Sequence, residues 1–270
     1  MAITTLDGVV AGAQVPRFFH KAVSAATTAG RPMSTWALNG NPGPGSQNGT
    51  LAGAALSSSS TMVAGQIPHT DPVSGNAYLA RFGVYSTAAC SPMLCDRLWS
   101  NGGFTITSTA AQTVTSATFP ARDANGSTNG EGVLLAMEVS AATGAGTPTI
   151  TVSYTNQDGT SGRTGTNSFP TAATSVAGSF YPIGLAAGDR GVRSVQSVTL
   201  SATWTSGTIN LVAYRPLAVV DAALLNVLGV VDPVTGGLPR LYNGVVPWVV
   251  FVPTGTTALN LGGCYVETHG

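Results

Sequence analysis

The sequence predicts an all-β protein: an antiparallel β-sandwich or jelly-roll-like domain, with an extended, loop-rich N-terminal arm and a short C-terminal α+β segment. Between about residues 105 and 214, apolar and polar residues alternate with the period of two that is typical of strands. Turn-forming residues recur at short intervals between these runs. No amphipathic helical segments alternate with them, which disfavours a parallel α/β sheet.

Residues 1–85 are predicted to form the extended arm. Gly40–Ser46 and Ser57–Ser60 offer few apolar side chains to bury, so we expect loops there. A short helix is predicted from Val15 to Ala26, because Pro16 suits a first helical turn. The arm is expected to lie over a partner.

Residues 86–216 are predicted to form the sandwich. Thr149–Thr155 and Ser197–Trp204 alternate strictly, as in strands with one buried and one wet face. Val133–Val139 is apolar on both faces apart from Glu138. We therefore expect it to be a central strand that is covered on both sides.

Two turns are predicted within the sandwich. Thr205–Thr208 is expected to join Ser197–Trp204 to Ile209–Tyr214 as a hairpin, with its glycine at positive φ. Asn156–Gly159 has the composition of another tight turn.

Residues 217–270 are predicted to form a C-terminal segment that packs on the sandwich or on a partner. Val219–Leu228 is the best helix candidate, ended by Gly229. Trp248–Val252 and Ala258–Val266 are expected to form a closing strand pair.

Charge is scarce throughout the chain. Charged residues make up 8% of the sequence and the net charge is zero, whereas an ordinary soluble domain has about 25% charged residues. Disorder needs high net charge or low hydrophobicity, and nucleic-acid binding needs a basic stripe, so both are disfavoured. A surface with so little charge suits contact with other protein.

Targeting and redox signals are also weak. The longest apolar stretch, Leu217–Val231, is interrupted by Asp221 and Asn226, so no membrane span is predicted. The start lacks the basic and apolar regions of a signal peptide. The three cysteines, Cys90, Cys95 and Cys264, are an odd number without C-x-x-C spacing, which disfavours a disulfide framework or a zinc site. Together with the missing signal peptide, this favours folding in a reducing cytoplasm.

No catalytic constellation is found, and the protein is expected not to be an enzyme. The chain has no G-x-S-x-G elbow, and its three histidines, His20, His69 and His269, are poor candidates for a base. Glu131 and Glu138 are seven residues apart, so on one strand they would face opposite sides of the sheet.

A loose calcium-loop pattern occurs at Asp123–Glu131, where oxygen-bearing residues alternate. The spacing is wrong for an EF-hand, because the sixth position is not glycine. We expect a structured turn, and no metal or cofactor is predicted.

Four stretches resemble virion structural proteins of tailed bacteriophages: Leu94–Trp99, Ala121–Gly132, Ser201–Thr208 and Pro239–Gly244. The resemblance implies a component of the virus particle, and we favour a capsid decoration (cement) protein at the capsid surface. Its implied partners are the major capsid protein and neighbouring copies of itself, with a trimer as a guess. Nucleic acid and membrane are not expected partners.

Four arginines are predicted to anchor the interface, because each lies beside aromatic or acidic residues and guanidinium groups form bidentate bonds. They are Arg81, Arg97, Arg122 and Arg240. The alternative for each is an ordinary surface or intradomain salt bridge.

Two other functions stay open. A receptor- or carbohydrate-binding module would use Trp36, Trp99 or Trp248 as stacking platforms, although a sandwich can equally bury these rings in its core. A tail or head-completion structural protein would form a ring at one vertex, and the number of copies per particle would distinguish it from a decoration protein.

Overall fold

The computed structural model describes residues 3–58 and 62–270, and this part of the chain confirms the all-β class. Its helices are α1 (Leu6–Ala11) and α2 (Pro233–Gly236). Neither helix is long and apolar enough to cross a membrane. The strands are β1 (Arg17–Val23), β2 (Met33–Ser34), β3 (Gly40–Asn41), β4 (Ala54–Ala55), β5 (Ala77–Ser86), β6 (Cys90–Ser100), β7 (Gln112–Thr113), β8 (Leu134–Ala141), β9 (Ile150–Asn156), β10 (Arg163–Asn167), β11 (Phe180–Gly184), β12 (Val192–Leu200), β13 (Thr208–Val219), β14 (Gly229–Val231), β15 (Arg240–Leu241), β16 (Pro247–Pro253) and β17 (Leu259–His269).

The larger sheet has the order β2-β16-β6-β13-β8-β11-β10-β9-β12-β7, with β4 paired to β6. All its pairs are antiparallel. It folds back on itself, because Leu135 and Leu211 share one buried cluster with Val152 and Val198 from its other half. This first core is the interior of a sandwich, as predicted.

The second sheet has the order β14-β5-β17-β1-β3, with β15 on β5. It packs on the β6 and β16 end of the larger sheet, where Phe19, Phe82 and Leu261 meet Leu94 and Val249 in a second core. Its main strands come from both ends of the chain.

A third buried cluster covers the other face of the larger sheet. Successive residues of a strand face opposite sides, so Leu211 lies in the first core whereas Val212 lies in the third. The covering residues include Trp36, which contacts Trp248 edge to face with ring centroids 6.3 Å apart.

Several predicted elements are confirmed. Thr149–Thr155 corresponds to β9, whose residues alternate between buried and half-buried. Val133–Val139 lies mostly in β8, a buried strand between β11 and β13. Asn156–Gly159 forms the turn between β9 and β10, and Gly159 has φ +84°.

The predicted hairpin between Ser197–Trp204 and Ile209–Tyr214 is wrong. Strand β12 pairs with β7 and β9, whereas β13 pairs with β6 and β8. The connection crosses from one layer of the sandwich to the other, with Gly207 at φ +114°. An alternating pattern predicts which face of a strand is buried, but it does not predict the partner strand.

The helix predictions for Val15–Ala26 and Val219–Leu228 are also wrong. Val15–Ala26 contains β1, because its side chains alternate between core and surface. Val219–Leu228 consists of the last residue of β13 and a loop. Two backbone hydrogen bonds join this loop to neighbouring strands: Ala222 N–H donates to Cys90 O, and Asn226 N–H donates to Ser86 O. These tertiary bonds override the local helix preference.

The predicted pairing of Trp248–Val252 with Ala258–Val266 is wrong, although both are strands. Strand β16 pairs with β2 and β6, and β17 pairs with β1 and β5 in the other sheet. The two strands therefore lie in different layers.

The segments 1–85, 86–216 and 217–270 are divided at points that fall inside β5 and β13. The first segment is loop-rich, as expected, but it does not extend away from the rest of the protein as an arm. Strand β1 lies between β3 and β17, and Trp36 is fully buried. Of the predicted loop Ser57–Ser60, the last two residues lie outside the described residues.

Candidate interaction surface

Exposed apolar side chains are concentrated outside residues 86–216. Among the described residues, Phe169 is the one large exposed hydrophobic residue within that range. The others belong to the two ends of the chain: Leu6, Val10, Val15, Phe18, Met62, Val73, Tyr85, Val219, Leu224, Leu225, Val227, Leu228, Val230 and Val234. Singly exposed apolar residues are ordinary, whereas a contiguous patch indicates an interaction site.

Such a patch forms on the outer face of the second sheet. A groove of about 440 Å³ is lined by Phe18, His20, Tyr85, Leu228 and Cys264, together with Phe19, Asn41 and Gly263. We call it the apolar groove. None of these residues is Asp, Glu, Lys or Arg, so the groove presents no permanent charge.

The alternation of β1 and the glycines of the sheet explain the groove. Phe19 is 4% exposed in the second core, whereas the adjacent Phe18 is 68% exposed on the outer face. Phe18 lies opposite Cys264, which lies opposite Gly83. Because Gly83 has no side chain, Leu228 can pack over this end of the row: a Cβ at Gly83 would lie 3.4 Å from Leu228 Cδ1 and 3.5 Å from Cys264 Sγ.

The loop of residues 221–228 borders the apolar groove through Leu228. Its side chains Leu224, Leu225 and Val227 are exposed, and we call these three the apolar rim. The loop backbone is held by the hydrogen bonds of Ala222 and Asn226 described above. The rim therefore presents apolar side chains from a fixed backbone.

The interior holds a large share of the few charges. Of the 11 basic and 11 acidic residues, eight are buried: Lys21, Asp96, Arg97, Arg122, Asp123, Glu138, Arg215 and Glu267. The exposed surface is consequently even poorer in charge than the composition indicates. Some remaining surface charges are paired in loops of the sandwich, where Arg163 contacts Asp189 at 2.9 Å and Arg190 contacts Glu131 at 2.8 Å.

Two predicted anchors are buried in intramolecular ion pairs. Arg97 Nη2 lies 2.7 Å from Glu138 Oε2, and its guanidinium group lies 4.4 Å from the Trp36 ring centroid. Arg122 Nε lies 2.9 Å from Asp96 Oδ2. Both arginines therefore form intradomain salt bridges, which was the alternative considered for each. Neither side chain is accessible to a partner in this structure.

The other two predicted anchors are accessible. Arg81 is exposed on β5. Arg240 is half-buried, and its guanidinium group lies 5.3 Å from the ring centroids of both Tyr78 and Tyr242. Their role at an interface stays a prediction.

The tryptophans named as carbohydrate platforms are buried. Trp36 and Trp99 are fully covered and Trp248 is nearly so. Their rings pack against Phe119, Phe180 and each other within the cores. The stacking role is therefore wrong for these three residues, because a glycan cannot reach their faces.

The Asp123–Glu131 segment is a structured turn, as predicted. Asp123 accepts hydrogen bonds from the N–H groups of Asn125, Ser127, Gly130 and Glu131 and from the Ser127 hydroxyl. Burial favours a raised pKa for Asp123, but these bonds lower it below its ordinary value. Its oxygens face hydrogen-bond donors, which organise the turn.

His69 lies in a buried cluster of charged groups. Its Nδ1 is 2.6 Å from Glu267 Oε2, and its Nε2 is 2.9 Å from Asp71 Oδ1. Burial favours a lowered pKa for His69, but the two carboxylates outweigh burial and raise it. Because both ring nitrogens face acceptors, the imidazolium form fits the site. Its contact with Glu267 joins the loop before β5 to strand β17.

The two acidic residues considered for catalysis are held apart in separate ion pairs. Glu131 contacts Arg190 at the surface, and Glu138 contacts Arg97 in the interior. Among residues 3–58 and 62–270, no group of three or more His, Cys, Asp or Glu side chains is arranged to hold a metal ion.

Sequence reasoning did not find the apolar groove. Its lining comes from β1, β5, β17 and the loop after β13, which are far apart in the chain. The available signal was the pair Phe18 and Phe19: in a strand, one of two adjacent aromatic residues must face outward.

The structure therefore shows a β-rich protein with an uncharged, apolar groove on the outer face of its second sheet. No family model and no curated protein matches the chain. Similar solved structures include the infectious bursal disease virus VP2 subviral particle, with 8% identity, a TM-score of 0.23, and coverage of 95% of this chain and 80% of that chain. The structure of the Gt strain of that virus has 9% identity, a TM-score of 0.20 and the same coverage. These neighbours are viral capsid proteins, but likeness this weak carries no argument about function.

Proposed function

We propose that this chain is a non-enzymatic structural protein of a virus particle and that it binds other protein subunits through the apolar groove and its rim. Within that class we favour a decoration protein on the major capsid shell of a tailed bacteriophage. The observation that carries the proposal is the contiguous, uncharged apolar face on the second sheet, in a chain whose surface has few charges.

The energetics of burial support this role. Covering an exposed Phe or Leu side chain contributes about 1.5–3 kcal/mol. Phe18, Leu224 and Leu225 are each exposed by more than half. Because the groove has no permanent charge, a partner can cover it without the desolvation of ions, which costs several kcal/mol per ion.

The proposal is tested with particles of the encoding virus that have been assembled without this chain. We expect Phe18→Asp and Leu228→Asp to weaken co-sedimentation with these particles by at least ~10-fold, since each places a charge in an apolar contact. Phe169→Asp is the matched control, because it alters an exposed aromatic residue far along the chain from the groove. Thermal unfolding verifies that all three variants are folded.

Equal binding by the groove variants and the control would overturn the proposal. The number of copies per particle separates the decoration role from its alternative. On the order of hundreds of copies are expected for a shell with many equivalent sites, and about a dozen or fewer for a ring in the tail or at the head vertex.

A further inference from the structure

Two arginines and two tyrosines form an alternating stack at the edge of the second sheet. Arg240 on β15 lies opposite Tyr78 on β5 and two residues before Tyr242. Its guanidinium group is 5.3 Å from each of these rings, and Arg215 lies 5.3 Å from the Tyr242 ring. Arg215 Nη2 also donates to Arg240 O at 2.9 Å.

No carboxylate of the described residues forms an ion pair with either stacked arginine, in contrast to Arg97 and Arg122. The Nε of Arg215 and the Nε of Arg240 are both buried without a hydrogen-bond partner in that part of the chain. Such unpaired buried donors are unfavourable, so neither guanidinium group is fully satisfied within the chain.

The nearby carboxylates are already committed to other donors. The acidic side chains whose charge reaches Arg215 include Asp96 and Asp123. Asp96 accepts from Arg122 and from Val246 N–H, and Asp123 is enclosed by the donors of its turn. Neither arginine of the stack therefore has a carboxylate partner of its own among the described residues.

Stacking fixes the faces of the Arg240 guanidinium group and leaves its edge for an acceptor. A guanidinium edge matches a carboxylate with two parallel hydrogen bonds. Arg215 is only 7% exposed, so the half-buried Arg240 supplies the accessible edge. Within a protein partner, the group that matches this edge is the carboxylate of an Asp or Glu side chain.

We propose that the Arg240 stack binds an acidic side chain of a partner protein subunit, as a polar contact beside the apolar contact of the groove. This inference rests on the proposed function for the existence of a partner, and the stack itself is tested separately. It assigns Arg215, Tyr78 and Tyr242 as positioning residues for Arg240.

The test follows the arginine Nε–H resonances of the full chain by NMR while N-acetyl-glutamate amide is added, with inorganic phosphate in a second series. We expect saturable shifts of the Arg240 and Arg215 signals with the glutamate probe. Arg240→Gln should weaken binding at least ~10-fold, and Arg240→Lys should weaken it too, because Lys keeps the charge but lacks the planar edge. Arg193→Gln is the control, since Arg193 is an exposed arginine on β12 outside the stack.

Equal losses in Arg240→Gln and Arg193→Gln would mean general charge attraction and would overturn the inference. Binding of phosphate without binding of the glutamate probe would also overturn it. In the particle assay, normal binding by Arg240→Gln with weak binding by Phe18→Asp would reject the stack and keep the proposed function. Failure of the unaltered chain to bind particles would reject the proposed function, while the NMR titration would still decide whether the stack binds a carboxylate.

Discussion

The sandwich built from β7 to β13 and the second sheet built from the two ends of the chain differ in what they present to solvent. The sandwich encloses a continuous apolar core, and some of its surface charges are neutralised in loop ion pairs. The second sheet also has a buried side, but its outer face exposes Phe18, Tyr85 and Leu228. Because β1, β5 and β17 are distant in sequence, this face exists only in the folded chain. The difference teaches that the exposed apolar face is built from segments that are far apart in the chain.

Deletion of residues 1–60 is the most severe test of the difference between the sandwich and the second sheet. It removes β1 with Phe19 and Val23 from the second core, and Trp36 from the cluster over Arg97. We expect loss of cooperative unfolding, which calorimetry would detect. A sharp transition in the truncated protein would show that the sandwich folds alone and that the N-terminal segment is a dispensable arm.

Breaking the ion pair of the third cluster is expected to have the next largest effect. Glu138→Gln leaves Arg97 buried without its counter-charge, which destabilises a protein by ~3–5 kcal/mol. The double variant Arg97→Met/Glu138→Leu removes both charges and fills the same space, so it should be much less destabilised. Urea denaturation at neutral pH measures both.

The outcome that would contradict this prediction is an equal loss in the single and double variants. Packing of Arg97 between Trp36 and Trp248 would then matter more than its charge. Such a result would mean that side-chain packing stabilises the larger sheet more than the ion pair does.

A smaller effect is expected from pH, and it has opposite signs at Lys21 and His69. Burial lowers the pKa of Lys21 from 10.5 to about 8. The unfolded chain therefore holds its proton at pH values where the folded chain has lost it, and stability rises between about pH 8 and 10.5 by up to ~3 kcal/mol. Lys21→Met should abolish this rise in thermal unfolding experiments.

His69 provides the opposite slope. Its raised pKa contributes stability that is complete below pH 6.5 and is lost as pH rises through the folded pKa. His69→Gln should remove that loss and leave the rise from Lys21. If both variants keep the pH profile of the unaltered chain, neither group controls it.

Individual strands were predictable because the burial of a strand face requires apolar residues at regular positions in the sequence. The alternation in β9 and the apolar run in β8 showed which faces are buried. The pairing of β12 and β13 was not predictable, since the same alternation fits a hairpin and a crossing between layers. The buried charges were also recognisable in principle, because Asp96 and Arg97 interrupt an apolar run in β6. Their partners, Arg122 and Glu138, follow only from the fold.

The chain has a single lysine, Lys21, and its side chain is 2% exposed, with Nζ donating to the carbonyl oxygens of Leu38 and Gly43. Lysine side chains are ordinarily the most accessible amines of a protein surface. Here an amine-directed acylating reagent cannot reach Lys21 in the folded protein. The rate of Lys21 labelling therefore reports how often the edge formed by β1 and β3 opens. The same burial means that cross-linkers that join lysine side chains would not attach to Lys21 while this edge stays closed.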